Sequence, residues 1–171
     1  MTLPWSDPSH FLDEGERETV ERQWLTVRIL WGSILAALAV YIIIANIVGP
    51  EEAVGIGGEP DDPAWLAQVP RYVMGAMSLG LLVAAFVIRR AAGNPKGLVG
   101  RFTGAYLNAV IVAWALCESV GIFGLVTFFI EGEFLWLYIF VGVAAAALIL
   151  LRPRKRELIE LAVSSKSKKD F

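Results

Sequence analysis

The chain has 171 residues, of which 56% are hydrophobic and 19% are charged, and its formal net charge is −2. This apolar fraction is higher than in most soluble domains and predicts a single-domain integral membrane protein. A single cysteine excludes an intramolecular disulfide. The acidic, polar N-terminal stretch is the opposite of a cleavable signal peptide, so we expect the first apolar segment to remain in the mature protein.

Four apolar segments stand out, and several of them reach the roughly 20 residues that a bilayer span requires. In chain order the predicted elements are an amphipathic N-terminal segment (1–24), span 1 (25–48), an acidic outer loop (49–72), span 2 (73–88), a cytoplasmic loop (89–101), span 3 (102–130), span 4 (134–151) and a basic tail (152–171). The spans must be helical because lipid offers no partner to backbone amides. The sequence therefore predicts an all-α membrane protein with four transmembrane helices.

The distribution of charge predicts the orientation of these spans. Basic residues lie before span 1, between spans 2 and 3 and after span 4, whereas the other two loops are acidic and contain only Arg71 as a basic residue. The positive-inside rule then places both termini in the cytoplasm, in a membrane of the bacterial inner-membrane type.

Small residues predict how two of the spans pack, because they allow close approach of helices in lipid. A row with four-residue spacing in span 3 and a shorter row in span 2 form the predicted seam: Ala105, Ala109, Ala113, Cys117 and Gly121, with Ala76, Gly80 and Ala84. Asn94 and Pro95 predict a tight turn in the connecting loop. Spans 2 and 3 are therefore expected to form a hairpin with its turn in the cytoplasm, flanked by spans 1 and 4.

Glu118 is an ionisable residue in the middle of span 3. It follows Cys117 directly and so lies about 100° around the helix from the seam, at the edge of the hairpin. A carboxylate in hydrocarbon is costly, so we expect Glu118 to be neutral or hydrogen-bonded at rest. Such a group can take up a proton and release it when its surroundings change.

The stretch "ALCESVGIFGLV", residues 115–126, resembles the carboxylate-bearing helix of the c subunit, or proteolipid, of F-type and V-type rotary ATPases. That family carries its acid in the context A-L-x-E-[AS]-x-x-[IL]-[YF]-G-L-V. The loop "AAGNPKG" is similar to the family's polar loop between its two helices, and the resemblance covers residues 72–130. It implies that Glu118 binds an ion, that Ser119 is its hydrogen-bonding neighbour, and that the protein works as an oligomer beside a partner that supplies a basic residue.

The resemblance also bears on which ion is bound. Sodium-binding members carry a serine after the acid, a tyrosine one turn later and a glutamine on the partner helix. Ser119 is present here, but Phe123 occupies the tyrosine position and span 2 offers only Ser78. Because hard cations need several oxygen ligands, a proton is favoured over sodium.

Three functions remain open at this stage. The first is a proton-carrying or proton-sensing, c-subunit-like member of an oligomeric membrane complex. The second is a structural subunit in which protonated Glu118 joins helices, and the third is a small proton-coupled exporter, although the small multidrug resistance family places its acid in the first span. No catalytic constellation is visible, so we expect no enzyme activity, no cofactor and no metal. The expected partners are the bilayer and further copies or other membrane subunits, not nucleic acid.

Overall fold

The computed structural model describes residues 14–52, 69–92, 103–155, 157 and 159. These form four α-helices: α1 (Glu14–Glu52), α2 (Val69–Ala92), α3 (Thr103–Glu131) and α4 (Phe134–Leu150). No strand occurs among the described residues, which confirms the all-α class. By length and composition α1, α2 and α3 can each cross a membrane, whereas α4 is a shorter apolar helix of 17 residues.

The helix boundaries follow local chemistry. α3 and α4 agree with the predicted segments to within one residue at each end, and α2 extends four residues further at each end. Pro70 lies in the first turn of α2, where a missing amide hydrogen is tolerated. Arg89 and Arg90 lie in its last turn, where positive charge interacts favourably with the helix dipole.

Two glycines with positive φ change the direction of the chain at one end of the bundle. Gly49 (φ 74°) kinks α1 just before Pro50, and Gly132 (φ 70°) lies between α3 and α4. The Gly132 amide donates to the Phe128 carbonyl at 2.7 Å, which closes the last turn of α3. Glycine is favoured at both positions because a side chain would strain this backbone conformation.

α3 is the central helix and contacts each of the other three. α1 and α4 also contact each other, and α2 packs chiefly against α3, so the predicted α2–α3 hairpin is present as a packed pair. The core consists largely of side chains of α3 and α4; on α3 the fully buried ones include Trp114, Cys117, Val120 and Phe128.

Two tryptophans satisfy carbonyl groups at the C-terminal end of α4. The last four carbonyls of a helix have no partner within it, which is costly where water is scarce. The indole of Trp31 donates to the Leu148 carbonyl and that of Trp114 to the Leu151 carbonyl, both at 3.0 Å. These bonds fix the end of α4 against α1 and α3.

The packing face of α2 differs from the predicted one. Its buried residues are Ser78, Ala85 and Ala92, spaced by seven, whereas Ala76 and Gly80 are exposed. A Cβ added at Gly80 would have no neighbour within 4 Å, so Gly80 permits no close helix contact. Ala84 is half-buried.

The orientation of α2 has a physical cause outside its apolar stretch. Arg71 lies seven residues before Ser78, on the same face, and forms an ion pair with Glu131 of α3. Near the other end of α2, Arg89 bonds Tyr106 of α3. These two charged anchors turn the 78–85–92 face toward α3 and leave the small-residue row outside.

The predicted seam on α3 is buried, but it does not face α2 throughout. Ala113, Cys117 and Gly121 are buried and Ala109 is half-buried. A Cβ at Gly121 would overlap Leu38 and contact the Tyr41 ring, both on α1. α1 therefore packs against the Gly121 end of the seam. The side chain of Ala105, and the predicted turn residues Asn94 and Pro95, lie outside the described parts of the chain.

Candidate functional site

Glu118 lies at the middle of α3. It is 15 residues after Thr103 and 13 before Glu131, so it is roughly 20 Å from either end of the helix at 1.5 Å per residue. Its side chain is half-buried, between the α1-facing side of α3 and the open side that carries Ile111 and Ile122. An acid therefore lies at the centre of a long, largely apolar helix without being sealed inside the bundle.

Tyr41 of α1 is the hydrogen-bond partner of Glu118. Its hydroxyl donates to Glu118 Oε1 at 3.1 Å. Gly121 makes this approach possible, because its missing Cβ leaves room for Leu38 and for the Tyr41 ring, whose nearest atoms lie 3.6 Å from the position that a Cβ would occupy. The close contact of α1 with α3 thus brings a phenol to the acid.

In this structure the Ser119 hydroxyl is bonded within its own helix rather than to Glu118. Its hydroxyl donates to the Ala115 carbonyl of its own helix at 2.9 Å. Serine commonly forms this bond one turn back in helices, which satisfies its hydroxyl locally. Within the described part of the chain, the donor to Glu118 is Tyr41 rather than Ser119. Ser78 Oγ, on α2, is buried without a hydrogen-bond partner among these residues.

A cluster of charged and aromatic residues lies at the end of the bundle where α2 begins. Arg71 Nε donates to Glu131 Oε1 at 3.2 Å, and its guanidinium lies 5.4 Å from the centre of the Trp136 ring. The Glu131 side chain is only 6% exposed, against 20% for Arg71. The pair neutralises a nearly buried carboxylate, and the cation–π contact adds to it.

A second cluster lies at the other end, which we call the basic end because it carries Arg89, Arg90, Arg152, Arg154 and Lys155. Arg89 and Tyr106 both bond the Glu157 carboxylate there. Neither end cluster reaches Glu118. Among the described residues, no three His, Cys, Asp or Glu side chains converge in a way that could hold a metal ion.

Tyr41 is the residue that the sequence reasoning missed. A signal was present: tyrosine is typical of the membrane–water boundary, yet Tyr41 lies in the apolar run "ALAVYIIIANI", well inside span 1. A phenol at that depth needs a hydrogen-bond partner, and Glu118 is the acid available at similar depth in another span. Comparison of the chain with protein-family models, with curated proteins and with solved structures found no match.

Proposed function

We propose that this protein is a four-span membrane protein in which Glu118 binds and releases a proton, as a proton-carrying or proton-sensing member of an oligomeric complex. The observation that carries the proposal is the Tyr41–Glu118 hydrogen bond at the centre of α3, with the acid half-exposed. The resemblance of residues 115–126 to the c-subunit helix supports the same chemistry.

The phenol gives each protonation state of the acid a partner. When Glu118 is ionised, the Tyr41 hydroxyl donates to it and offsets part of the cost of a charge in an apolar setting. When Glu118 is protonated, its own hydroxyl can donate to the phenol oxygen. A proton can therefore arrive or leave without a large rearrangement of α1 and α3.

Charge and packing support the proposed topology. The basic end combines the ends of α2 and α4, as expected for an up-and-down bundle with both termini on that side, and the positive-inside rule makes that side cytoplasmic. α4 has 17 residues, about 25 Å, and the tryptophan bonds to its last carbonyls suit a helix that ends near the membrane boundary.

The open side of α3 supports an oligomeric protein. On the same side as Glu118, α3 exposes Ile111 and Ile122, so a neighbouring subunit could approach the acid directly. A neighbour with a basic side chain would favour the ionised form, and an apolar neighbour would favour the protonated form. Proton release would then depend on which surface faces Glu118.

A structural role is the second candidate, because the same hydrogen bond joins α1 to α3. An interhelical bond of this kind contributes about 1 kcal/mol in a membrane. A structural bond needs only a polar group, so glutamine should replace Glu118 without loss. A proton carrier needs the acid itself, and this difference separates the two functions.

Labelling with a hydrophobic carbodiimide, which reacts with protonated carboxyl groups in apolar surroundings, tests the proposal. We expect Glu118 to be modified faster as the pH falls, and Glu118→Gln to abolish the reaction at this site. Tyr41→Phe should speed the labelling at neutral pH several-fold, because the ionised form loses its donor. Glu133, exposed between α3 and α4, serves as an internal control and should remain unmodified.

Two outcomes would count against proton binding. One is labelling of Glu118 that is absent or independent of pH. The other is a Glu118→Gln protein that assembles and supports the host's membrane process as well as the unaltered chain, which would leave the structural role.

A further inference from the structure

The segment that follows α4 crosses the basic end of the bundle. We call residues 152–155 and 157 the C-terminal clasp. Lys155 Nζ lies 3.2 Å from Glu21 Oε1 of α1, and Glu157 bonds α2 and α3 through Arg89 and Tyr106. The clasp thus ties together helices that already pack along their apolar faces.

Two donors of the α2–α3 pair converge on a single oxygen atom of the clasp. Arg89 Nη2 and the Tyr106 hydroxyl each lie 2.5 Å from Glu157 Oε2, and Arg89 Nη1 donates to the Tyr106 hydroxyl at 3.1 Å. The guanidinium also lies 5.4 Å from the centre of the Tyr106 ring. The Arg89–Tyr106 bond and the ring contact do not involve Glu157, so they hold the two donors beside each other independently of its carboxylate.

The two donors are more deeply buried than the acid that they bind. The Arg89 side chain is 11% exposed and Tyr106 is buried, whereas the Glu157 side chain is 29% exposed. The donors belong to two long helices, and the acceptor belongs to a short segment beyond the last helix. The arrangement is therefore a pair of donors on two packed helices, with an acid from the segment after α4 bound to both.

The chemistry and position of this site suit a phosphate group. An arginine guanidinium with an adjacent hydroxyl is a common arrangement for phosphate oxygens, and charge-assisted bonds of this kind are strong. Arg89 lies in the last turn of α2, and the ends of membrane-spanning helices are where lipid headgroups are met. Arg152 and Arg154 are exposed at the same end and add positive potential.

We propose that Arg89 and Tyr106 form a phosphate-binding site at the basic end, for which an anionic phospholipid headgroup competes with Glu157. Binding of the headgroup displaces Glu157 and releases the C-terminal clasp from the hairpin. The position of the C-terminal segment then reports the anionic lipid around the protein. This inference is independent of Glu118.

Spin labels on the intact protein in a maltoside detergent test the displacement. Asn108→Cys on α3 and Arg154→Cys on the clasp are both exposed sites, and Cys117→Ala removes the native thiol. Phosphatidylglycerol should lengthen the distance between the labels, and phosphatidylcholine should not. If neither saturating phosphatidylglycerol nor inorganic phosphate changes the distance between the labels, the proposal is overturned.

Lipid binding to unlabelled variants, counted by native mass spectrometry, provides the second measurement. Glu157→Gln should bind phosphatidylglycerol about fivefold to tenfold more tightly, because the competing anion is gone. Arg89→Gln should bind it more weakly, and so should Tyr106→Phe, which keeps the ring if the arginine variant fails to fold. Arg90→Gln is the matched control, because Arg90 is exposed and forms no bond with Glu157, and it should bind phosphatidylglycerol as tightly as the unaltered protein. Equal affinity of Glu157→Gln and the unaltered protein would contradict the competition.

Inorganic phosphate distinguishes the sources of the ligand. A distance change with phosphatidylglycerol alone assigns the site to lipid. The same change with millimolar inorganic phosphate means that the site recognises the phosphate group from either source.

Discussion

Gly124 permits the closest approach between α3 and α4, and adding one methyl group there tests how the bundle is held together. A Cβ at this position would lie 2.6 Å from Phe140 Cβ and 3.3 Å from the Leu137 carbonyl oxygen. Neither neighbour is the free end of a flexible side chain. Gly124→Ala must therefore move one helix away from the other, whereas at Gly121 the nearest atom is the tip of a leucine that can rotate.

The expected change in the free energy of unfolding follows from these distances. Ordinary van der Waals contact begins near 3.4 Å, so the helices must separate locally by about 0.8 Å. A gap of this size removes roughly a quarter to a half of the dispersion energy of the atoms involved, and overpacking typically costs about 1–3 kcal/mol. Alanine regains up to about 1 kcal/mol through its higher helix propensity. The expected net loss in the free energy of unfolding is about 0–2 kcal/mol.

Gly142→Ala on α4 is the matched control, because a Cβ there has no neighbour within 4 Å. Both variants gain the same helix propensity, so their difference isolates the steric contact and should be about 1–3 kcal/mol. Unfolding in mixed micelles of mild detergent and dodecyl sulfate measures this difference. A Gly124→Ala protein as stable as Gly142→Ala would refute the close α3–α4 contact.

Three further predictions use the same unfolding assay. Trp114→Phe should lower the free energy of unfolding by about 1–3 kcal/mol, because the buried Leu151 carbonyl loses its donor; no change would mean that water satisfies this carbonyl. Arg71→Gln should lower the free energy of unfolding more than Glu131→Gln, since it leaves a nearly buried carboxylate without its cation. The double variant should recover part of this loss of stability. If Glu131→Gln is instead the more destabilising change, the burial of that carboxylate is contradicted. Arg22→Ala breaks an exposed ion pair between residues four apart and should cost under about 1 kcal/mol, with a larger loss pointing to a further contact.

The acid was predictable from the sequence, and its partner was not. Glu118 is conspicuous in span 3 because no other charged residue occurs between Arg101 and Glu131. Tyr41 lies 77 positions earlier, and its distance from Glu118 depends on how deeply α1 approaches α3 at Gly121. The family resemblance implied Ser119 as the partner, but a neighbouring helical residue points about 100° away and the Ser119 hydroxyl donates to the Ala115 carbonyl.

Hydropathy and turn residues alone determined the helices. Each apolar run must form its own backbone hydrogen bonds, so the predicted ends of α3 and α4 agree closely with the observed ones. Which helix faces pack against each other was decided only by the tertiary structure. Small residues permit close contact on any face where they lie, and ion pairs at the ends of α2 selected a different face from the one carrying Ala76 and Gly80. The docking of α1 against α3 at Gly121 brought the Tyr41 phenol to Glu118, because hydrogen bonds between helices depend on their relative rotation and depth, which no single segment encodes.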